Sequence, residues 1–101
     1  MLKHIVMWRL ADSAEGRTKA ENARWMKEHL EALVGVVPQL LSAEVGINVC
    51  ESDMAYDAVL VSTFEDRQAL ESYKVHPAHK AVSDYCKKVR LSRVVCDYHI
   101  G

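Results

Sequence analysis

Apolar residues along this chain follow two rhythms, one of alternate positions and one of every third or fourth, and the two occur in successive blocks. In residues 3–10, His4, Val6, Trp8 and Leu10 fall on one face and Ile5, Met7 and Arg9 on the other, which predicts a strand. Residues 12–16 are polar and read as a loop. Thr18 and Glu21 have the spacing of a capping box, in which a hydroxyl and a carboxylate satisfy the free amides of a helix start. Ala23, Met26, Leu30, Leu33, Val34 and Val37 follow as the stripe of an amphipathic helix, with Gly35 and Pro38 as its stop. Residues 40–50 predict a second strand, with Leu41, Ala43, Val45, Ile47 and Val49 on one face. A polar loop of Glu51, Ser52 and Asp53 leads to a third strand over residues 56–64. Asp66 opens a helix carrying Ala69, Leu70 and Tyr73. Pro77 ends it and starts another, because a first helical residue needs no amide. Ala78, Ala81, Val82, Tyr85, Cys86 and Val89 stripe that last helix, and residues 91–100 make the fourth strand.

This order is the split βαβ, or ferredoxin-like, α+β plan with a four-stranded antiparallel sheet. Right-handed crossovers place the first and third strands at the sheet centre with the helices on one face. Both central strands are apolar on both sides: Val6 and Trp8 against Ile5 and Met7, Ala58 and Leu60 against Val59 and Val61. The helices can cover only one side. A bare apolar sheet face is an aggregation liability, so a second copy is expected to cover it, giving a homodimeric α/β barrel; the alternative is a monomer whose outer face is only sparsely apolar.

Composition narrows the setting. A chain of 101 residues suits one domain, over residues 1–101, with one modest core. Its 13 basic and 14 acidic residues leave a net charge of −1 with no run of Lys or Arg, so neither nucleic acid nor a membrane surface is an expected partner. No stretch approaches the roughly 18 apolar residues of a membrane span. Three widely spaced cysteines suit a reducing compartment, and the apolar run at residues 1–10 is too short for a signal peptide. A cytoplasmic location is the expectation.

The chemistry concentrates in five histidines. In His76-Pro77-Ala78-His79, His76 is placed as a helix cap and His79 in the first turn, on the side of Val82 and Cys86 and so towards the sheet. Desolvation and the positive end of the helix both favour neutral imidazole, the form a general base requires. The same placement also suits a histidine that only satisfies a core hydrogen bond. Tyr73 lies on the apolar face one turn before Pro77, where a phenol can either hydrogen-bond a carbonyl or pack with its hydroxyl at the rim. His4 shares the Val6 and Trp8 face of the first strand. His79, Tyr73 and His4 are therefore the candidate catalytic set. The expected ligand contacts around them are Val6, Trp8, Met26, Leu30, His76 and Val82. His76 and His79 lack a carboxylate or cysteine in fixed relation, so no metal is expected, and no phosphate loop or other cofactor motif is present. Trp25 and His29 read as a subunit contact or a pocket lip.

Three segments carry a family resemblance: residues 3–10 (KHIVMWRL), residues 56–66 (YDAVLVSTFED) and residues 70–79 (LESYKVHPAH), with Asp97 and Tyr98 fitting at the end. Over nearly its whole length the chain resembles the stress-responsive A/B barrel (Dabb) domain family. The resemblance implies a ferredoxin-like fold and a homodimeric barrel. Many members have no assigned chemistry. A plant member is a cofactor-free polyketide cyclase that closes a poly-β-keto thioester by aldol condensation. Its catalytic histidine corresponds to His79, its tyrosine to Tyr73 and its first-strand histidine to His4. It has a further pocket histidine where this chain has Ala58, so the resemblance carries the base and not the same substrate. Three functions follow as expectations. The first is a stress-response domain that binds a small, mostly apolar or aromatic ligand. The second is a cyclase or lyase using His79, and the third is a structural dimer without ligand.

Overall fold

The computed structural model describes residues 1–101. The alternation at the start becomes β1 (Leu2–Leu10), with Leu2, His4, Val6, Trp8 and Leu10 buried on one face. The polar stretch after it is a small ribbon rather than a loop. There β2 (Ser13–Ala14) pairs with β3 (Arg17–Thr18) around Glu15 and Gly16, whose φ values of 53° and 73° are left-handed, as a tight two-residue hairpin requires. Thr18 then caps α1 (Lys19–Glu31). Its hydroxyl accepts the Glu21 N–H at 3.2 Å, and the Glu21 carboxylate accepts the Thr18 N–H at 2.9 Å.

Helix α1 ends at Glu31, short of the stop expected from Gly35 and Pro38. The β-branched Val34, Val36 and Val37 favour a helix poorly, and Gly35 takes a φ of 90° that leaves it. Leu33, Val37 and Leu40 still reach the core, from turns rather than from a helix face. β4 (Ser42–Ile47) and β5 (Ala58–Phe64) are shorter than their apolar patterns, and Val49 lies beyond β4, fully in solvent. Asp66 caps α2 (Arg67–Val75) by accepting the Ala69 N–H at 2.8 Å. His76 closes α2 and caps α3 (Pro77–Val89), its Nδ1 accepting the Ala78 N–H at 3.1 Å. β6 (Arg90–His99) follows directly.

The main sheet has the order β4-β5-β1-β6 with every pair antiparallel, so the first long strand and β5 are central and the fold is ferredoxin-like α+β. The register sets His4 between Ser62 and Asp97, Val6 between Leu60 and Val95, and Trp8 between Ala58 and Arg93. The core lies between this face and the helices: Ala23, Met26 and Leu30 of α1, Leu70 and Tyr73 of α2, and Val82, Cys86 and Val89 of α3. Within one chain the sheet is open, with β4 and β6 as its edges. The edge at β4 is guarded, because Lys27 Nζ donates to the Val45 carbonyl at 2.8 Å and Glu31 accepts the Val45 N–H at 2.9 Å. The two side chains also pair with each other at 2.8 Å. Glu31→Ala is expected to lower the unfolding free energy by about 1 kcal/mol in urea titrations, since it frees an edge amide and its lysine partner.

The face away from the helices carries Ile5 and Met7 of β1, Val59 and Val61 of β5, and Val94 and Cys96 of β6, in register with one another. No element of the chain covers them, and Met7 and Val94 are 38% and 39% exposed. No helix is long and apolar enough to cross a membrane.

Candidate functional site

Beneath α3 the helix-facing side of the sheet opens into a cavity of about 170 Å³. Its floor is apolar: Val6 and Trp8 of β1 and Leu60 of β5, with Leu30 of α1 as a wall. His4 enters from β1, and His79, Ser83 and Cys86 from successive turns of α3. Lys87, Arg90 and Arg93 complete the lining.

The position of His79 follows from local sequence. His76 and Pro77 start α3 abruptly, which sets His79 in its first turn with its ring towards the sheet. Its Nδ1 lies 3.2 Å from the Lys74 carbonyl, which can only accept, so Nδ1 carries the proton and Nε2 keeps the lone pair. The Tyr73 ring packs against the imidazole with centroids 4.2 Å apart and against Phe64 at 5.0 Å, which holds the ring plane. Burial pulls the His79 pKa below its ordinary 6.5, and His4, Arg93 and Lys74 add to the effect against the opposing Lys74 hydrogen bond. His79 is thus neutral at neutral pH, with an acceptor nitrogen available.

His4 is held in a comparable way from the other side. Its Nδ1 hydrogen-bonds Asp97 Oδ1, a contact that the β1–β6 register creates by placing the two residues opposite each other. Burial lowers its pKa as well, outweighing the hydrogen bond and charge of Asp97, which act to raise it. Tyr73 is buried, and desolvation raises its phenol well above the ordinary range, so it stays protonated. Burial also pushes the Cys86 thiol up to about 11, so this cysteine is not a thiolate at neutral pH.

The structure therefore brings His4, Tyr73 and His79 together, with the two histidines on the cavity wall and the tyrosine behind His79. Val6, Trp8 and Leu30 face the cavity. Met26 and Val82 do not; they are core residues, 0% and 7% exposed. His76 does not reach it either, because its ring caps α3. Ala58 is buried next to Trp8 and stays outside the lining. Trp25 and His29 line neither cavity nor sheet face. They stack at 3.8 Å, and Trp25 meets Tyr85 at 3.9 Å, so the cluster ties α1 to α3. Sequence reasoning missed Leu60, Ser83, Cys86, the three cations and the partner role of Asp97. The recurrence of Lys87, Arg90 and Arg93 at every third position was the available signal, obscured because the helix ends at Val89.

A larger hollow of about 350 Å³ lies at Met7, Gly46, Tyr56 and Val59 on the other side of the sheet. Tyr56 is the one titratable side chain in its lining. His4, Tyr73 and His79 are all on the helix side.

A ferredoxin-like sheet roofed by helices over a cavity with two neutral histidines defines a class of small α+β domain. A family model for the stress-responsive A/B barrel (Dabb) domain matches residues 2–100, and the chain belongs to that family. It is 33% identical over 81 residues to an uncharacterised protein of Streptomyces coelicolor, covering 80% of this chain and 81% of that one. It is 23% identical over 99 residues to the olivetolic acid cyclase of Cannabis sativa, covering 96% and 94% of the two chains. A dimeric protein of ferredoxin-like fold from Bacteroides fragilis superposes with a TM-score of 0.86 at 28% identity, covering 98% of this chain and 95% of that one.

Proposed function

We propose that the protein is a homodimer that takes a small, mostly apolar ligand into the helix–sheet cavity. The observation that carries this reading is the lining itself: an apolar floor of Val6, Trp8 and Leu60 beneath two neutral imidazoles whose Nδ1 atoms are both engaged. Dimerisation is supported by the uncovered Ile5, Met7, Val59 and Val61 face and by the dimeric relative from Bacteroides fragilis.

A second reading, cofactor-free proton transfer, is favoured by the geometry of His79. Its Nε2 would take a proton from carbon next to a carbonyl, the C–H bond breaking and its electron pair moving to the carbonyl oxygen as an enolate. Tyr73 would hold the imidazole plane, and His4, oriented by Asp97, would accept a hydrogen bond from a ligand hydroxyl. The similarity to the Cannabis sativa cyclase is consistent with such chemistry at His79.

The test is a thermal-shift and NMR screen of small aryl β-dicarbonyl compounds against wild type and His79→Ala. Binding by both proteins, with deuterium exchange at the ligand's α-carbon accelerated above its rate in buffer only by the wild type, is the expected result. Binding with no acceleration by either protein leaves a binding domain and removes the catalytic reading. Failure of the wild type to bind any member of the set overturns the ligand reading.

A further inference from the structure

Three cations border the cavity: Lys87 near the end of α3, Arg90 where that helix meets β6, and Arg93 opposite Trp8. None of them joins the ion pairs of the chain, which use Lys19, Lys27, Lys74 and His4. The acidic groups nearby balance them only in part. Asp97 accepts from a neutral His4 and keeps its charge, which offsets one cation by favouring protonated Arg93, and Asp84 faces a neighbouring groove that already holds Lys74, Lys80 and Lys87. In a chain of net charge −1 this is a local excess of positive charge. The negative end of α3 accounts for cations at positions 87 and 90. It does not account for Arg93, which sits on an extended strand beside an apolar floor. There partial desolvation of this otherwise exposed side chain, and then the charge of Arg90, work against its protonated form, with the Asp97 charge opposing them. Like charges gathered over an apolar surface repel one another, and an anion seated among them removes that repulsion.

We infer that the cavity takes an amphipathic organic anion, a small carboxylic acid whose apolar body lies on Val6, Trp8 and Leu60 while its carboxylate sits among Lys87, Arg90 and Arg93. The inference rests on the reading of this cavity as a ligand site and names the class of ligand. The two histidines, with Nδ1 engaged, leave acceptor nitrogens for a hydroxyl on the apolar body. Guanidinium and ammonium groups favour carboxylate through charge-assisted hydrogen bonds, which a neutral amide of the same shape cannot match.

The test uses phenylacetate, phenylpropanoate and hexanoate, each titrated beside its primary amide into the wild-type protein, with inorganic phosphate as the bare anion. At least one acid is expected to bind about tenfold tighter than its amide, and raised salt should erode the preference. NMR shifts should centre on Val6, Trp8 and Leu60. Lys87→Gln and Arg93→Gln each alter an exposed side chain, so the fold should persist in the amide spectrum while most of the acid preference disappears. Amides that bind as tightly as acids overturn the anion preference and leave the cavity reading standing. Phosphate that binds as tightly as the acids overturns the apolar half of the proposal. No binding by any acid or amide overturns both readings.

Discussion

Met7→Glu is expected to convert a particle of twice the 11.4 kDa chain mass into a monomer in sedimentation velocity at micromolar concentration. Met7 stands on central strand β1, in register with Val59 and Val94, and borders two hollows on the uncovered sheet face. If that face meets its own copy, symmetry buries the new carboxylate twice. Each burial without a partner costs about 2 kcal/mol or more, so the dissociation constant should rise about a thousandfold. The monomer should keep its secondary structure by circular dichroism, because Met7 points away from the helix-side core. A wild-type protein that sediments as a monomer, or a variant that stays dimeric, would sink the proposed assembly.

His79→Gln should slow α-proton exchange of a bound carbon acid by about a hundredfold to ten-thousandfold while changing its affinity little, since glutamine can still fill the site but cannot accept the proton. The pH dependence has a definite sign. Burial lowers the pKa of His79 below 6.5, so the base form is present at neutral pH, and the wild-type rate should decline only as pH falls below 6.5. His4 is lowered in the same direction. For both histidines the unfolded chain therefore takes up protons first on acidification. Stability is full above about 6.5 and falls as pH drops towards the folded values, and His79→Gln should remove its share of that loss in urea titrations at stepped pH. A variant with wild-type exchange would remove His79 from the chemistry.

The helix starts were readable because they depend on neighbours in sequence. Thr18 and Glu21, Asp66, and His76 with Pro77 all act within one turn, and each forms the cap that its spacing implies. The two-sided strands were readable for a similar reason, because alternation is a property of the strand itself. The end of α1 was less legible. Leu33 and Val37 continue the apolar stripe, yet they reach the core from turns, and burial alone does not distinguish the two routes. The ribbon at Ser13 to Thr18 escaped because only its tip, Glu15 and Gly16, carries a turn signal.

At the site, the sequence identified His79 and Tyr73, which lie a few residues apart and are brought into ring contact by the break at Pro77. Placing His4 beside them required the strand order, and that too followed from the order of elements. The local pattern along the chain thus determined the fold class, the bare second face of the sheet and three of the proton-bearing groups. Tertiary structure alone decided what those groups touch. Asp97 meets His4 from across 93 positions of chain because the β1–β6 register sets them opposite, with a shift at Arg9 and Leu10 that no periodicity announces. The same register brings Arg93 next to Trp8 and joins it to Lys87 and Arg90. Periodicity reports which face a residue occupies, whereas the partner across the sheet is set by how two distant strands slide against each other.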